Sequence, residues 1–339
     1  MSALWSSLLE NYPQAAASQG AVLTDLAAEA SAGTVACALS GHGVLTLSGP
    51  DASKFLQGQT STDFREVTDS QSRLGCYVNL KGRAIASFRA VQQGEAIHLV
   101  MEAGLLPLVK EKLAKFIVFS KATVALNEQL ALIGVTGENA AIAVAEALAG
   151  VPVEVDAVSH GEGVTVVRLS GDQRYLLLVP AARLTTVWAA LLAHATPAGA
   201  NAWRLHQIGA GVAEVTQAST ELFQPQELNY PVLHGVSYTK GCYTGQEIVA
   251  RLHFRGKLKQ HAQRFEVSSA VLPAPGSALY TQEGKAAGDV VLAAQRDAAT
   301  VELLAIARPE QAATGLHLGA ADGPLLQALL LPYTVPATE

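Results

Sequence analysis

Residues 42–48 (His-Gly-Val-Leu-Thr-Leu-Ser) alternate with the period of a half-buried strand. Gly49-Pro50-Asp51 then opens a short helix, with Asp51 as its N-cap and Phe55 and Leu56 on its apolar side. Residues 73–80 and 84–91 read as strands about the turn Lys81-Gly82-Arg83, and Gln92-Gln93-Gly94-Glu95 turns the chain into a third strand, 96–101. Leu105, Leu108, Leu113 and Phe116 recur at helical spacing, so a helix is expected over 105–116 and a strand over 117–126. A second cycle follows. Residues 130–135 are strand-like, 138–148 form an Ala-rich helix ended by Gly150, 164–169 and 174–179 make a hairpin about Gly171-Asp172, and 181–193 is again helical.

After about residue 265 the pattern changes to short β-rich runs at 262–267, 277–280, 287–295 and 299–306, separated by turns such as Pro273-Ala274-Pro275-Gly276. The fold class this predicts is α+β, with hairpins on antiparallel sheets rather than one doubly wound parallel sheet, followed by a small all-β barrel or sandwich. A length of 339 residues suits two or three such domains.

Composition narrows the class of function mainly by exclusion. Half the residues are apolar and 15% are charged, so the chain has enough apolar surface to bury a core. No apolar run reaches the roughly 20 residues of a membrane helix. The first basic residue is Lys54, which does not suit a signal or transit peptide, so the cytoplasm is the expected compartment. Cys37, Cys76 and Cys242 are too few and too scattered for a zinc site, a disulfide framework or a self-contained four-cysteine cluster. The phosphate-loop, Gly-x-Ser-x-Gly and His-Glu-x-x-His patterns are absent from the sequence.

Charge, in contrast, points to one place. Lys240 to Arg264 holds six basic residues and a single acid, Glu247, a net +5 in a chain whose total is −6. Such an island is either a solvated face or an anion site, for a polycarboxylate, a phosphate or RNA. The overall negative charge argues against broad nucleic-acid binding, and few aromatics lie near the island in sequence. Its densest stretch is Lys240-Gly241-Cys242-Tyr243-Thr244-Gly245-Gln246-Glu247-Ile248-Val249-Ala250-Arg251. Thr244 and Glu247 have the spacing of a capping box for a helix from about Gln246. Cys242 then precedes a helix N-terminus and follows Lys240 by two residues, and both would favour its thiolate. The alternative is a buried, inert thiol, the reading that suits Cys37 and Cys76 in their apolar runs.

Lys-Gly-Cys-Tyr-Thr-Gly-Gln-Glu closely resembles the signature of the YgfZ family of folate-binding, iron–sulfur-linked proteins, in the superfamily of the glycine-cleavage T-protein, an aminomethyltransferase. Phe55-Leu56-Gln57-Gly58-Gln59-Thr60, Lys81-Gly82-Arg83, Val118-Phe119-Ser120-Lys121 and Phe223-Gln224-Pro225-Gln226-Glu227-Leu228-Asn229 resemble further family stretches in consistent order over about residues 40–310. The resemblance implies a T-protein-like three-domain ring around a channel for tetrahydrofolate or polyglutamylated folate. Residues 1–40 with 115–200 would form a first, discontinuous α+β domain, 41–114 with 201–258 a second carrying the cysteine motif, and 259–339 a C-terminal β-barrel.

The resemblance also implies roles for residues. Trp203 would line the folate site, where an indole suits stacking on a pterin or aminobenzoate ring, and His42 would be a second ring contact. Both also read as ordinary structural residues, a core helix tryptophan and a strand-end histidine. The signature residues Tyr243, Gly245, Gln246 and Glu247 belong with the cofactor site, Arg251 and Arg255 would attract a glutamate tail, and Cys242 with Lys240 would supply the reactive thiol. One departure concerns the carboxylate that T-protein relatives place before a glycine: here the stretch reads Gln207-Ile208-Gly209-Ala210-Gly211, with Gly209 in its place. The implied function is a tetrahydrofolate-binding accessory protein for assembly or repair of iron–sulfur enzymes. Its expected partners are folate, those client enzymes, and tRNA or tRNA-modifying enzymes, with no membrane. Two rivals are a tetrahydrofolate-dependent aminomethyl-type transferase and a tRNA-binding factor.

Overall fold

Residues 4, 5, 8 and 10 and residues 33–148 and 150–336 are described by the computed structural model. Much of the 1–40 stretch expected in a first domain therefore lies outside the described residues. In chain order the first elements are β1 (Thr34–Ala38), β2 (His42–Ser48), helix α1 (Ala52–Gln57), β3 (Arg73–Val78), β4 (Ala84–Gln93), β5 (Ala96–Glu102), α2 (Leu106–Ile117), β6 (Thr123–Leu126), β7 (Leu130–Gly137) and α3 (Ala140–Ala147). Then come β8 (Val158–Gly161), β9 (Val164–Leu169), β10 (Arg174–Pro180), α4 (Leu184–Leu191), β11 (Thr196–Ala198) and α5 (Ala200–Gly209). After a long irregular stretch the chain forms α6 (Gln246–Arg255), β12 (His261–Ser268), β13 (Ala278–Tyr280), β14 (Ala286–Gln295), β15 (Thr300–Ala307), α7 (Pro309–Thr314), β16 (Leu316–Leu318) and β17 (Leu325–Leu329).

These strands make two open sheets and a closed barrel. The first sheet has the order β11-β1-β7-β10-β9-β8, the second β3-β4-β5-β2-β6, and the barrel β12-β15-β14-β13-β16-β17. Pairing is antiparallel throughout except between β1 and β11. The first sheet is buried on both faces, and the period-2 alternation of its strands shows which residues serve which layer. Ala36, Tyr175, Leu177 and Val179 pack under α3 and α4 with Trp5 and Trp188. Val35, Cys37, Leu176 and Leu178 face the other way, toward Val44, Val91 and Val100 of the second sheet. The barrel has its own interior around Phe265, Leu279, Val290 and Leu303, while Leu292, Leu304 and Ile306 on its outside join the core of the second sheet.

Several elements differ from the periodicity. The strand expected over 117–126 shortens to β6, because α2 runs to Ile117 and Val118 and Phe119 turn outward to 70% and 89% exposure. β6, from the 115–200 segment expected in the first domain, hydrogen-bonds to β2 in the second sheet. The helices expected over 138–148 and 181–193 are α3 and α4 with short flanking turns. Asp51 stands at the N-cap of α1 but gives its side chain to the Lys121 amide, 2.8 Å away, instead of to the helix. The barrel is closed by β16 and β17, whose three and five residues are too short and too exposed to show a hydrophobic period. No helix among the described residues is long and apolar enough to cross a membrane.

Candidate functional site

The link from β1 to β2 spans only residues 39–41, and the chain changes sheets across it. His42, the first residue of β2, is thereby held at the junction of the two sheets, opposite Glu102 of β5. Beyond α5 the chain turns at Ala210-Gly211 and brings Glu214 to the same place. His42 Nε2 lies 2.7 Å from Glu214 Oε1, and both side chains are nearly buried. Burial opposes charge on His42, but the charge and hydrogen bond of Glu214 outweigh it and raise its pKa. Burial likewise opposes ionisation of Glu214, while His42 and then Arg204 hold its pKa below the ordinary range. The two shifts agree on a charged imidazolium–carboxylate pair. His42 Nδ1 and Glu102 Oε2 are buried there without a hydrogen-bond partner.

Trp203 lines a cavity together with this pair. Its helix is fastened to the barrel by Asn201, which donates to Gln295 O and accepts from Gln295 N, each at 2.9 Å. The indole lies against Gly134 of β7, where an added Cβ would come within 2.4 Å of Trp203 Cε3, so the close approach depends on the glycine. The Arg174 guanidinium sits 4.6 Å from the ring centroid. Arg174 is buried, with one donor to Ser170 O at 2.9 Å and Nε unpartnered. Burial first, then the charges of Arg89 and Arg168, pull its pKa down to about 9.

Two cavities meet at the His42–Glu214 pair. One, of ≈ 80 Å³, lies between the sheets and is lined by Arg89, Arg174, Trp203 and Gln207 as well as the pair. The other, of ≈ 230 Å³, reaches the barrel and adds Glu102, Arg204 and Leu292. Both are smaller than an ordinary small-molecule site but share its character, mostly apolar with a few convergent polar groups.

The cysteine motif forms a second centre. Lys240 is buried, donates from Nζ to Thr60 O at 2.6 Å and lies 5.0 Å from the Tyr243 ring centroid. Burial lowers its pKa to about 7, with Asp63 opposing and Arg65 assisting the shift. Gln57 donates to Lys240 O and to Asp63, which joins the Phe55–Thr60 stretch to the cysteine stretch. Gly82 packs against Ile248, and Gln226 donates to Val249 O at 2.7 Å. Four of the stretches quoted from the sequence thus converge around α6. The helix begins at Gln246 as expected, but its N-cap is Gly245 at φ 79° with no side-chain cap. Thr244 forms no capping box, because the left-handed Gly245 already turns the chain, and Tyr243 N–H donates to the Gln246 side chain.

Cys242 is exposed, while Cys37 and Cys76 are buried. Glu247, Arg251 and Arg255 are also exposed. None of Lys240, Cys242, Tyr243, Gly245, Gln246, Glu247, Arg251 and Arg255 lines either cavity at His42; Tyr243 to Ile248 and Ala250 border a separate depression of ≈ 490 Å³ with Leu80. The structure therefore brings Trp203 and His42 together and sets the cysteine motif apart.

The chain is 32% identical over 256 residues to the "tRNA-modifying protein YgfZ" of Klebsiella pneumoniae, covering 74% of this chain and 78% of the relative. Against the protein of the same name from Colwellia psychrerythraea it is 29% identical over 88% of this chain and 93% of the relative. The chain belongs to the YgfZ family. No family model matches it. Among solved structures, the aminomethyltransferase T of the Bartonella henselae glycine cleavage system superposes with a TM-score of 0.77 at 16% identity, covering 95% of both chains. The fold is thus that of the T-protein, with the closed six-stranded barrel at its C-terminal end.

Within the YgfZ frame, two residues of the site escaped the sequence pattern. Counting back to Gly209 leaves the pocket without a carboxylate; Glu214, five positions on, supplies one. Its signal in the sequence was faint: it is the first acid after Asp172. Arg174 reads as an ordinary hairpin residue and had no signal. Trp203 is in the expected place, but at 5% exposure its ring is already covered by Gly134 and Arg174 rather than open for stacking.

Proposed function

We propose that this protein is a tetrahydrofolate-binding accessory factor, acting in the cytoplasm, that supports assembly or repair of iron–sulfur enzymes, tRNA-modifying ones among them. Family membership and the T-protein fold support the reading, and the observation that carries it is the buried His42–Glu214 pair at the meeting of two cavities, one of which Trp203 also lines. The residues fit a reduced folate. Glu214 accepts from N–H groups, as a pterin edge requires, and the orphaned acceptor of Glu102 and the free donor of Arg174 Nε offer further partners. Arg204, in the second cavity, suits the carboxylates of a glutamate tail better than Arg251 and Arg255, which line neither cavity. Bound tetrahydrofolate would supply one-carbon carrier chemistry; the chain's own contribution is to orient it and to shield it from water.

Calorimetric titration of tetrahydrofolate into the purified protein and into Glu214→Ala and Trp203→Ala tests the reading. Saturable binding is expected in the parent, weakened at least about tenfold by the loss of a charged hydrogen bond in Glu214→Ala. Unchanged affinity in both variants would place the folate elsewhere. Glu214 also favours a second reading, aminomethyl-type transfer, since the carboxylate that the Gly209 alignment removes is present. Tetrahydrofolate-dependent release of formaldehyde from an aminomethyl donor separates the two.

A further inference from the structure

The C-terminal half of α6 carries Arg251, His253, Phe254 and Arg255 to solvent. The aromatic neighbours that the sequence leaves out are supplied by the fold. Tyr238, fifteen positions upstream of His253, stacks on its imidazole with centroids 3.7 Å apart and planes within 9°. Phe254 stands edge-on to both, 4.7 Å from His253 and 6.1 Å from Tyr238, and remains 68% exposed. An aromatic this exposed, on a helix otherwise studded with cations, has no role in the core.

At Gly256 the helix ends, and Lys257 and Lys259 lead directly into an open cleft of ≈ 640 Å³ between this link and the barrel. His261, Arg264 and Arg308 add to its basic lining; Glu310 is its one acid, and Arg264 is engaged by Glu302 at 2.6 Å. A continuous tract of exposed cations, Arg251, Arg255, Lys257, Lys259 and Arg308, therefore runs from a protruding aromatic cluster into a groove, on a chain of net charge −6.

We infer that this tract is a binding surface for single-stranded RNA. Cations in file neutralise a phosphate backbone, and an exposed ring beside them gives an unpaired base a face on which to stack. A duplex presents the phosphates but keeps its bases from the ring. An acidic protein would satisfy the cations but leave the protruding Phe254 and the length of the groove unexplained. The choice of RNA over DNA rests on the tRNA-linked reading above; the surface itself does not involve the His42–Glu214 cavities, and the test is run without folate, so failure here leaves the folate proposal untouched and the reverse also holds.

Fluorescence anisotropy with a labelled oligouridylate of about twelve nucleotides reads the interaction on the full-length protein. With Arg251, Arg255, Lys257 and Lys259 engaged, log affinity should fall with log salt at a slope of about −3, a loss of about fiftyfold between about 50 and 200 mM salt. Phe254→Ala should weaken binding about tenfold and Phe254→Trp restore it. Lys257→Gln with Lys259→Gln should halve the slope to about −1.5. All these side chains are exposed, so circular dichroism and melting should match the parent. The inference is overturned by absence of saturable binding at low salt, by an RNA duplex binding as tightly as the single strand, by competition from polyglutamate as effective as that from RNA at equal charge, or by variants that bind like the parent.

Discussion

Replacing Glu214 by Gln removes one charge from the His42–Glu214 pair while keeping its size and a hydrogen-bonding oxygen. In the parent, His42 has its pKa raised above the ordinary 6.5, so the pair's contribution is full below that pH and fades as pH rises through the folded value of His42. Glu214 has its pKa lowered from the ordinary 4.5, so its contribution is present above that pH and is lost as pH falls through its folded value. Between 4.5 and 6.5 both parts are in force. In Glu214→Gln, burial and Arg204 both push His42 toward the neutral form, with nothing of like strength opposing them. At about pH 5.5 the unfolded chain then holds a proton that the folded one gives up, which costs about 1.4 kcal/mol per pH unit below the ordinary value. With the lost charge-assisted hydrogen bond the total is about 2 kcal/mol. Above the folded value of His42 the imidazole is neutral in either chain, and there the substitution costs only roughly 0.5–1 kcal/mol as an amide oxygen replaces the carboxylate in its hydrogen bond. Thermal melts followed by circular dichroism should show Glu214→Gln several degrees below the parent at about pH 5.5 and within about two degrees of it once pH has passed the folded value of His42. Equal losses at both pH values would refute the charged pair and reduce Glu214 to a packing residue.

Three further outcomes are expected. Alkylation of the native protein, with mass-spectrometric assignment, should modify Cys242 first and leave Cys37 and Cys76 untouched until unfolding, since both are buried and burial pushes the Cys76 thiol far up; labelling of either before Cys242 would contradict the structure. Gly245→Ala should cost about 2 kcal/mol or more, because the position needs a left-handed backbone and its Cβ would meet Asn79 O at 2.3 Å; a melting temperature equal to the parent's would show that the turn can rearrange. Lys240, with its pKa lowered to about 7 from 10.5, binds fewer protons folded than unfolded between those values, so its contribution to stability grows as pH rises through that window. Lys240→Met should flatten that rise, and a melting-temperature profile parallel to the parent's from about pH 7 to 10 would show the ammonium to be solvated after all.

The local pattern of the chain determined much of the architecture by itself. β2, β4, β7, β9, β10, β12, β14 and β15 are long enough for period-2 alternation or an apolar run to reveal them, and α6 begins where the glycine-rich motif ends. The basic island, the exposed Cys242 and the buried Cys37 and Cys76 were legible for the same reason: each depends on neighbours within a few residues. What only the tertiary structure decided was contact between distant parts. The His42–Glu214 pair joins residues 172 apart and the Lys240–Thr60 bond residues 180 apart. Trp203 met its cover, Gly134 and Arg174, only when α5 packed on the first sheet. Tyr238 reached His253 through a fold of the irregular stretch that no period records. A cavity is a property of how sheets and barrel fail to fill the space between them, and a carboxylate's place in it is set by where the backbone turns. Neither leaves a periodic trace in the chain, so Glu214 could be known as a site residue only once the fold had carried it there.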